Sequence, residues 1–123
     1  MPRKKVTFET VREIGLALPD VVDSTMYGKL ALKARGKLLA CLAIHKSAEP
    51  DSLVVRIDFD QRAGLLAEAP ETYYVTEHYR NYPAVLVRLS RIGTDQLRDL
   101  LNASWRFVTA GSRKTPARKN RIP

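Results

Sequence analysis

A chain of 123 residues, 45% of them hydrophobic and carrying a formal net charge of +8, fits a single domain that buries roughly two thirds of its unfolded surface. One cysteine, Cys41, excludes an intrachain disulfide, and the longest apolar run, from Leu38 to Ile44, is far short of the roughly 20 residues that cross a bilayer. The charge excess sits on the two ends: residues 1–5 hold three basic groups, residues 110–123 hold five, and the 13 Lys and Arg between them are balanced by all 13 Asp and Glu. The expected organisation is a basic N-terminal arm (1–5), one domain (6–110) and a disordered basic C-terminal tail (111–123) that attracts polyanions without sequence preference. Glu9, Arg12 and Glu13 break any signal-peptide pattern behind Arg3, Lys4 and Lys5, so a cytoplasmic protein is expected.

Phe8, Val11, Ile14 and Leu18 recur at helical spacing over residues 7–18, with Thr7 as cap, Pro19 as stop and Gly15 open to close backbone approach. From Lys29 the period becomes two. Leu30 and Leu32 oppose Lys29, Ala31 and Lys33, and a turn at residues 34–37 leads into a second strand over 38–44. The mixed apolar character of that strand, Cys41 included, predicts cover on both faces. After a polar loop, residues 53–59 alternate as a third strand; Asp60 is the expected cap of a short helix over 61–69 that buries Leu65 and Leu66.

Residues 72–76 and 84–92 predict two more strands, separated by a connection from Thr76 to Pro83 too long for a tight turn. A last helix begins at Thr94 or Asp95, carries Leu97, Leu100, Leu101, Ser104, Trp105 and Val108 on one stripe, and is expected to end at Gly111. The order α-β-β-β-α-β-β-α predicts a two-layer α+β fold, a mainly antiparallel twisted five-stranded sheet with helices on one face.

Leu18-Pro19-Asp20, Tyr27-Gly28-Lys29, Leu32-Lys33 and Arg35-Gly36-Lys37-Leu38 resemble the first half of the MmcQ/YjbR-like family. Tyr74 to Pro83, Val85 to Leu89 and Ser104-Trp105-Arg106 resemble its second half, so that the likeness spans roughly residues 8–109. The resemblance implies a two-layer fold similar to type III secretion chaperones and a DNA-binding module with a pair of protruding wings; it implies no cofactor and no catalytic residue.

Lys29, Lys33, Arg35 and Lys37 place four cations in nine residues of one hairpin, a pattern suited to phosphates or to a charged edge that resists aggregation. Arg56 and Arg88 extend that positive face if their strands lie alongside. His78, Tyr79, Arg80 and Tyr82 combine groups that stack on bases and grip phosphate with groups that equally suit a satisfied structural loop. Neither His45 nor His78 has zinc-site spacing, and no nucleophile elbow, Gly-rich cradle or acidic pair points to an enzyme.

The leading expectation is DNA or regulatory binding to the phosphate backbone by the hairpin and the loop from His78 to Pro83. The alternative is a protein-binding adaptor that uses a sheet face, where Val54 and Leu86 point outward, or an exposed strand edge as a chaperone-like platform for a partner or for itself. The third is a small-ligand pocket near His78 and Arg80.

Overall fold

The computed structural model describes residues 6–26, 28–43 and 45–113, with side chains as far as residue 110. The N-terminal arm, Tyr27, Ile44 and the tail beyond residue 113 lie outside the described residues. In chain order the elements are α1 (Phe8–Leu16), β1 (Val21–Met26), β2 (Lys29–Ala34), β3 (Lys37–Leu42), β4 (Ser52–Arg56), α2 (Phe59–Glu68), β5 (Tyr73–Tyr74), a 3-10 helix (Glu77–Tyr79), β6 (Ala84–Arg88) and α3 (Thr94–Arg113). The strands form one antiparallel sheet in the order β1-β2-β3-β4-β6-β5. The α+β class stands, with six strands among the described residues where five were expected.

The added strand is β1. It pairs along its whole length with β2, from Val21 opposite Ala34 to Met26 opposite Lys29, yet only Val21 in it is buried. An edge strand that buries one residue shows no alternation, so periodicity passes over it. Arg12 of α1 holds it in place through two hydrogen bonds of 2.7 Å to Asp23, while its third nitrogen meets Glu9 at 2.9 Å. These bonds keep the Asp23 carboxyl below its ordinary range, the hydrogen bond from Arg12 outweighing partial desolvation.

All three helices contribute to the apolar cluster on one face of the sheet: Phe8 and Val11 from α1, Leu65 and Leu66 from α2, Leu97, Leu100, Leu101 and Val108 from α3. α2 starts two residues before its expected first residue, because Asp58, not Asp60, caps it by accepting from the Gln61 N–H at 2.7 Å. α3 starts at Thr94, where the Gln96 side chain accepts from the Gly93 N–H at 2.9 Å. It runs through Gly111 to Arg113, so this glycine does not end it.

β2 and β3 are joined by a two-residue turn in which Arg35 (φ 53°) and Gly36 (φ 80°) both take left-handed conformations, as the twist of a tight hairpin demands. Arg35 is a poor residue for that region. Its side chain is held by Asp20, Nε to Oδ2 at 2.9 Å, and lies 5.9 Å from the Trp105 ring centre.

Along β3 the register skips a residue: Leu38 faces Lys33 and Ala40 faces Leu32, leaving Leu39 as a bulge. Leu39 and Ala40 therefore both enter the helix-side core, while Leu38 and Cys41 join the opposite face. The carbonyl of Leu39 accepts from the buried hydroxyl of Ser104 at 3.3 Å, so α3 supplies the partner that the bulge removes from the ladder.

Gly15 meets this core at a side chain, not at the backbone approach expected of it. A Cβ there would lie 2.5 Å from Cδ1 of Leu32, a side chain with no exposed surface. Gly15→Ala is expected to lower stability by about 1–2 kcal/mol, overpacking outweighing the gain of roughly 1 kcal/mol in helix propensity. Urea denaturation of the variant beside the parent checks this, and an unchanged or raised midpoint would contradict it.

Candidate functional site

The side of the sheet away from the helices is apolar too. Ala31, Cys41, Val54, Ala84 and Leu86 form a second buried cluster, with Met26, Leu38, Ala43, Ala48, Tyr74 and Tyr79 packed on it. Val54 and Leu86 do face away from the helices, but they are only 6% and 0% exposed. The outward apolar patch expected from them is therefore corrected: it lies under chain, because residues 45–51 and 76–83 fold across this face.

Arg88 fastens that cover at one end. Its Nε and one terminal nitrogen donate to the two carboxylate oxygens of Glu49 at 2.9 and 2.8 Å, and its other terminal nitrogen reaches the carbonyls of Pro70 and Glu71. The guanidinium lies 4.3 Å from the centre of the Tyr74 ring. The Tyr74 hydroxyl in turn accepts from the Glu49 N–H at 2.8 Å and shares a short hydrogen bond with Ser52. Hydrogen bonding to Arg88 holds the Glu49 carboxyl below its ordinary range and the guanidinium above its own.

Arg62 of α2 fastens the other end. It donates to the carbonyls of Tyr82 at 2.9 Å, Ala84 at 3.2 Å and Arg80 at 3.0 Å while packing 4.7 Å from the Phe59 ring centre. Partial burial lowers its pKa from the ordinary arginine range. The loop from His78 to Pro83 is thus shaped by a residue about 20 positions upstream.

Between these fastenings the cover is incomplete and leaves a cavity of about 800 Å³. Met26, Leu38, Cys41, Leu42, Val54 and Ala84 give it apolar walls; His45, Lys46, Arg56, His78, Tyr79, Tyr82 and Pro83 supply the rest of the lining. His45 and His78 stack face to face, ring centres 3.5 Å apart and 8° from parallel. Tyr79 stands edge-on to both, at 6.2 and 4.8 Å. The Ser47 N–H donates to Nδ1 of His45 at 3.0 Å, and the Ser47 and Thr76 hydroxyls lie 2.8 Å apart. The two covering segments are clasped through this stack and this pair of hydroxyls.

A nitrogen that accepts an N–H carries no proton, so the geometry favours His45 neutral with its hydrogen on Nε2. Desolvation first, then the neighbouring His78 and Lys46, push its pKa below the ordinary value. Burial raises the Tyr79 hydroxyl and pushes the Cys41 thiol up to about 11, which leaves the thiol protonated at neutral pH and unsuited to nucleophilic attack. Among the described residues no three His, Cys, Asp or Glu side chains gather to hold a metal ion.

The residues singled out in the sequence are only partly brought together. His78, Tyr79 and Tyr82 share the pocket. Arg80 points its charge at Glu77, 3.1 Å away and largely exposed. The hairpin cations do not form one cluster: β2 register puts Lys29 and Lys33 on the pocket side with Ala31, whereas Lys37 stands opposite Ala34 of the helix-side core. Arg35 and Arg88 are engaged by Asp20 and Glu49, so three of the cations expected to meet phosphate, Arg35, Arg80 and Arg88, already have carboxylate partners. His45, Arg62, Tyr74 and Cys41 complete the site from distant parts of the chain. Their only sequence signal is the two-faced apolar character of β3 and β4, which requires a cover.

A lowered histidine pKa means that the unfolded chain takes up the proton first as pH falls. The contribution of His45 to stability is therefore present above about pH 6.5 and is lost as pH drops through its lower folded value. In an NMR titration of the imidazole C–H signals, His45 is expected to titrate below about 6.5, and His78→Asn to move that midpoint upward. An unchanged midpoint in the variant would show that the stacked ring exerts no electrostatic effect.

A family model described as YjbR matches residues 16–107. Uncharacterised proteins of Mycobacterium bovis and Mycobacterium tuberculosis are 39% identical to this chain over 56 residues, covering 45% of the chain and 43% of theirs, so the chain spans less than half the length of the curated relatives it matches. The crystal structure of a Deinococcus radiodurans protein with a DUF419 domain superposes with a TM-score of 0.73 at 19% identity, covering 90% of this chain and 84% of that one. The sheet order, the helices on one face and the match over residues 16–107 agree: this chain belongs to the YjbR family.

Proposed function

We propose that this domain is a ligand-binding module whose site is the pocket between the back of the sheet and the loop from His78 to Pro83. One observation carries the reading. A cavity of about 800 Å³ with apolar walls and a small group of convergent polar side chains has the size and composition of small-molecule sites, which run to roughly 300–1,000 Å³. The one thiol in the lining, Cys41, is buried and protonated, which favours binding over nucleophilic catalysis. A regulatory role follows naturally for such a module, because a ligand in the pocket touches both clasped segments at once.

A fragment screen by amide NMR tests this. Binders are expected to shift resonances of residues 38–46, 54–56 and 78–84, and Leu38→Trp, which fills the cavity from β3, is expected to weaken them by about tenfold, equivalent to roughly 1.4 kcal/mol. Fragments that bind only elsewhere, or bind the filled variant equally, would refute the reading.

Nucleic-acid binding is the second reading, supported by a different observation. Lys29 is exposed, Lys33 is half-buried, and neither has a carboxylate within ion-pair distance among the described residues. In full-length protein, replacing both with Gln is expected to reduce the dependence of log affinity on log salt by about two, roughly one for each phosphate no longer neutralised. An unchanged slope would assign any DNA affinity to the basic ends instead. The covering of Val54 and Leu86 removes the sheet-face basis of the protein-adaptor reading and leaves its strand-edge form.

A further inference from the structure

Resting on the pocket reading, the structure points, we propose, to a ligand that joins an apolar body to an acidic group, with Arg56 receiving the acid. The ionisable lining supports a negative partner. His45, Lys46, Arg56 and His78 border the cavity and, among the described residues, no carboxylate does, although acids and bases are equal in number between residues 6 and 109.

Arg56 stands apart from the other half-buried arginines among the described residues. Arg12 and Arg88 each grip a carboxylate, and Arg62 spreads its donors over three carbonyls. Among the described residues Arg56, at the end of β4, donates only its Nε, to the Pro83 carbonyl at 3.1 Å, and its guanidinium lies 5.5 Å from the ring centre of Phe107 of α3, at the end of the sheet. No carboxylate among the described residues pairs with it. Among the described residues its terminal nitrogens meet no acceptor, and Arg56 borders the cavity, so they are available to an acidic group, which a guanidinium grips through two parallel hydrogen bonds.

The neighbouring apolar wall sets the other half of the ligand. Val54 is the next residue of β4 on the same face, and Ala84 stands directly opposite Arg56 on β6. A molecule whose acid lies on Arg56 extends its body over these residues towards Cys41 and Leu38. Free phosphate and other small anions lack that body and gain nothing from the wall, so an amphiphilic acid is favoured over an inorganic anion.

A matched pair of fluorescent probes tests the charge separately from the pocket. Anilinonaphthalene sulfonate and uncharged phenylnaphthylamine share their rings and differ by the sulfonate. With full-length protein at neutral pH, the sulfonate is expected to bind about tenfold more tightly, as a charge-assisted contact implies, with amide NMR placing both probes in the pocket. Arg56→Gln is expected to bring the two affinities within about twofold of each other, a difference of roughly 0.4 kcal/mol, while leaving phenylnaphthylamine unchanged; Arg106→Gln, on the exposed side of α3, leaves both as they were.

Equal affinities in the parent protein would overturn the acidic ligand and leave the pocket standing. A sulfonate preference that survives Arg56→Gln would overturn the role of Arg56. Failure of both probes to reach the pocket would overturn the pocket reading and this inference together. If Arg56→Gln does not fold, Arg56→Lys keeps the charge without the fork and is expected to lose part of the preference; full retention would again count against Arg56.

Discussion

The architecture depends on one constraint: β4 and β6 are apolar on both sides, while the helices pack on one. Four consecutive residues in each, 52–55 and 84–87, are buried, and a strand of that kind needs cover in both directions. α1, α2 and α3 supply it on one side. On the other, irregular chain does, and irregular chain brings unpaired backbone groups that need partners of their own.

Arg62, Arg88, Tyr74 and Ser47 meet that need. Each links backbone or side-chain groups of a covering segment to something distant, so the segments behave as fixtures despite having little regular structure. The use of charge follows from this: guanidinium groups that a count of residues offers to an external polyanion are largely committed to internal carbonyls and carboxylates. The cover closes over Leu86 and stops short over Cys41 and Ala84, and the shortfall is the pocket.

Much of this is legible in the chain, for reasons that differ by element. α3 announces itself because a long amphipathic stripe repeats many times, and the turn at residues 35–36 because its glycine suits a left-handed position. β1 is hidden because an edge strand with one buried residue has no period. The cap of α2 is displaced from its expected place because Asp58 and Asp60 are equally good caps, and only packing chooses between them. Gly111 lies within a helix because propensity is a weak preference that the surrounding turns override. At the site, His78, Tyr79 and Tyr82 are recognisable together because they are near neighbours in sequence. Their partners His45 and Arg62 are not, since nothing in a linear reading brings residues 45, 62 and 78 to one place.

Arg62 gives α2 a grip on the mouth of the pocket: carbonyls of three alternate residues, Arg80, Tyr82 and Ala84, accept from this one helix side chain, so loss of its guanidinium would strip the rim of three donors at once. The helical layer on one side of the sheet thus supplies part of the frame of the cavity on the other.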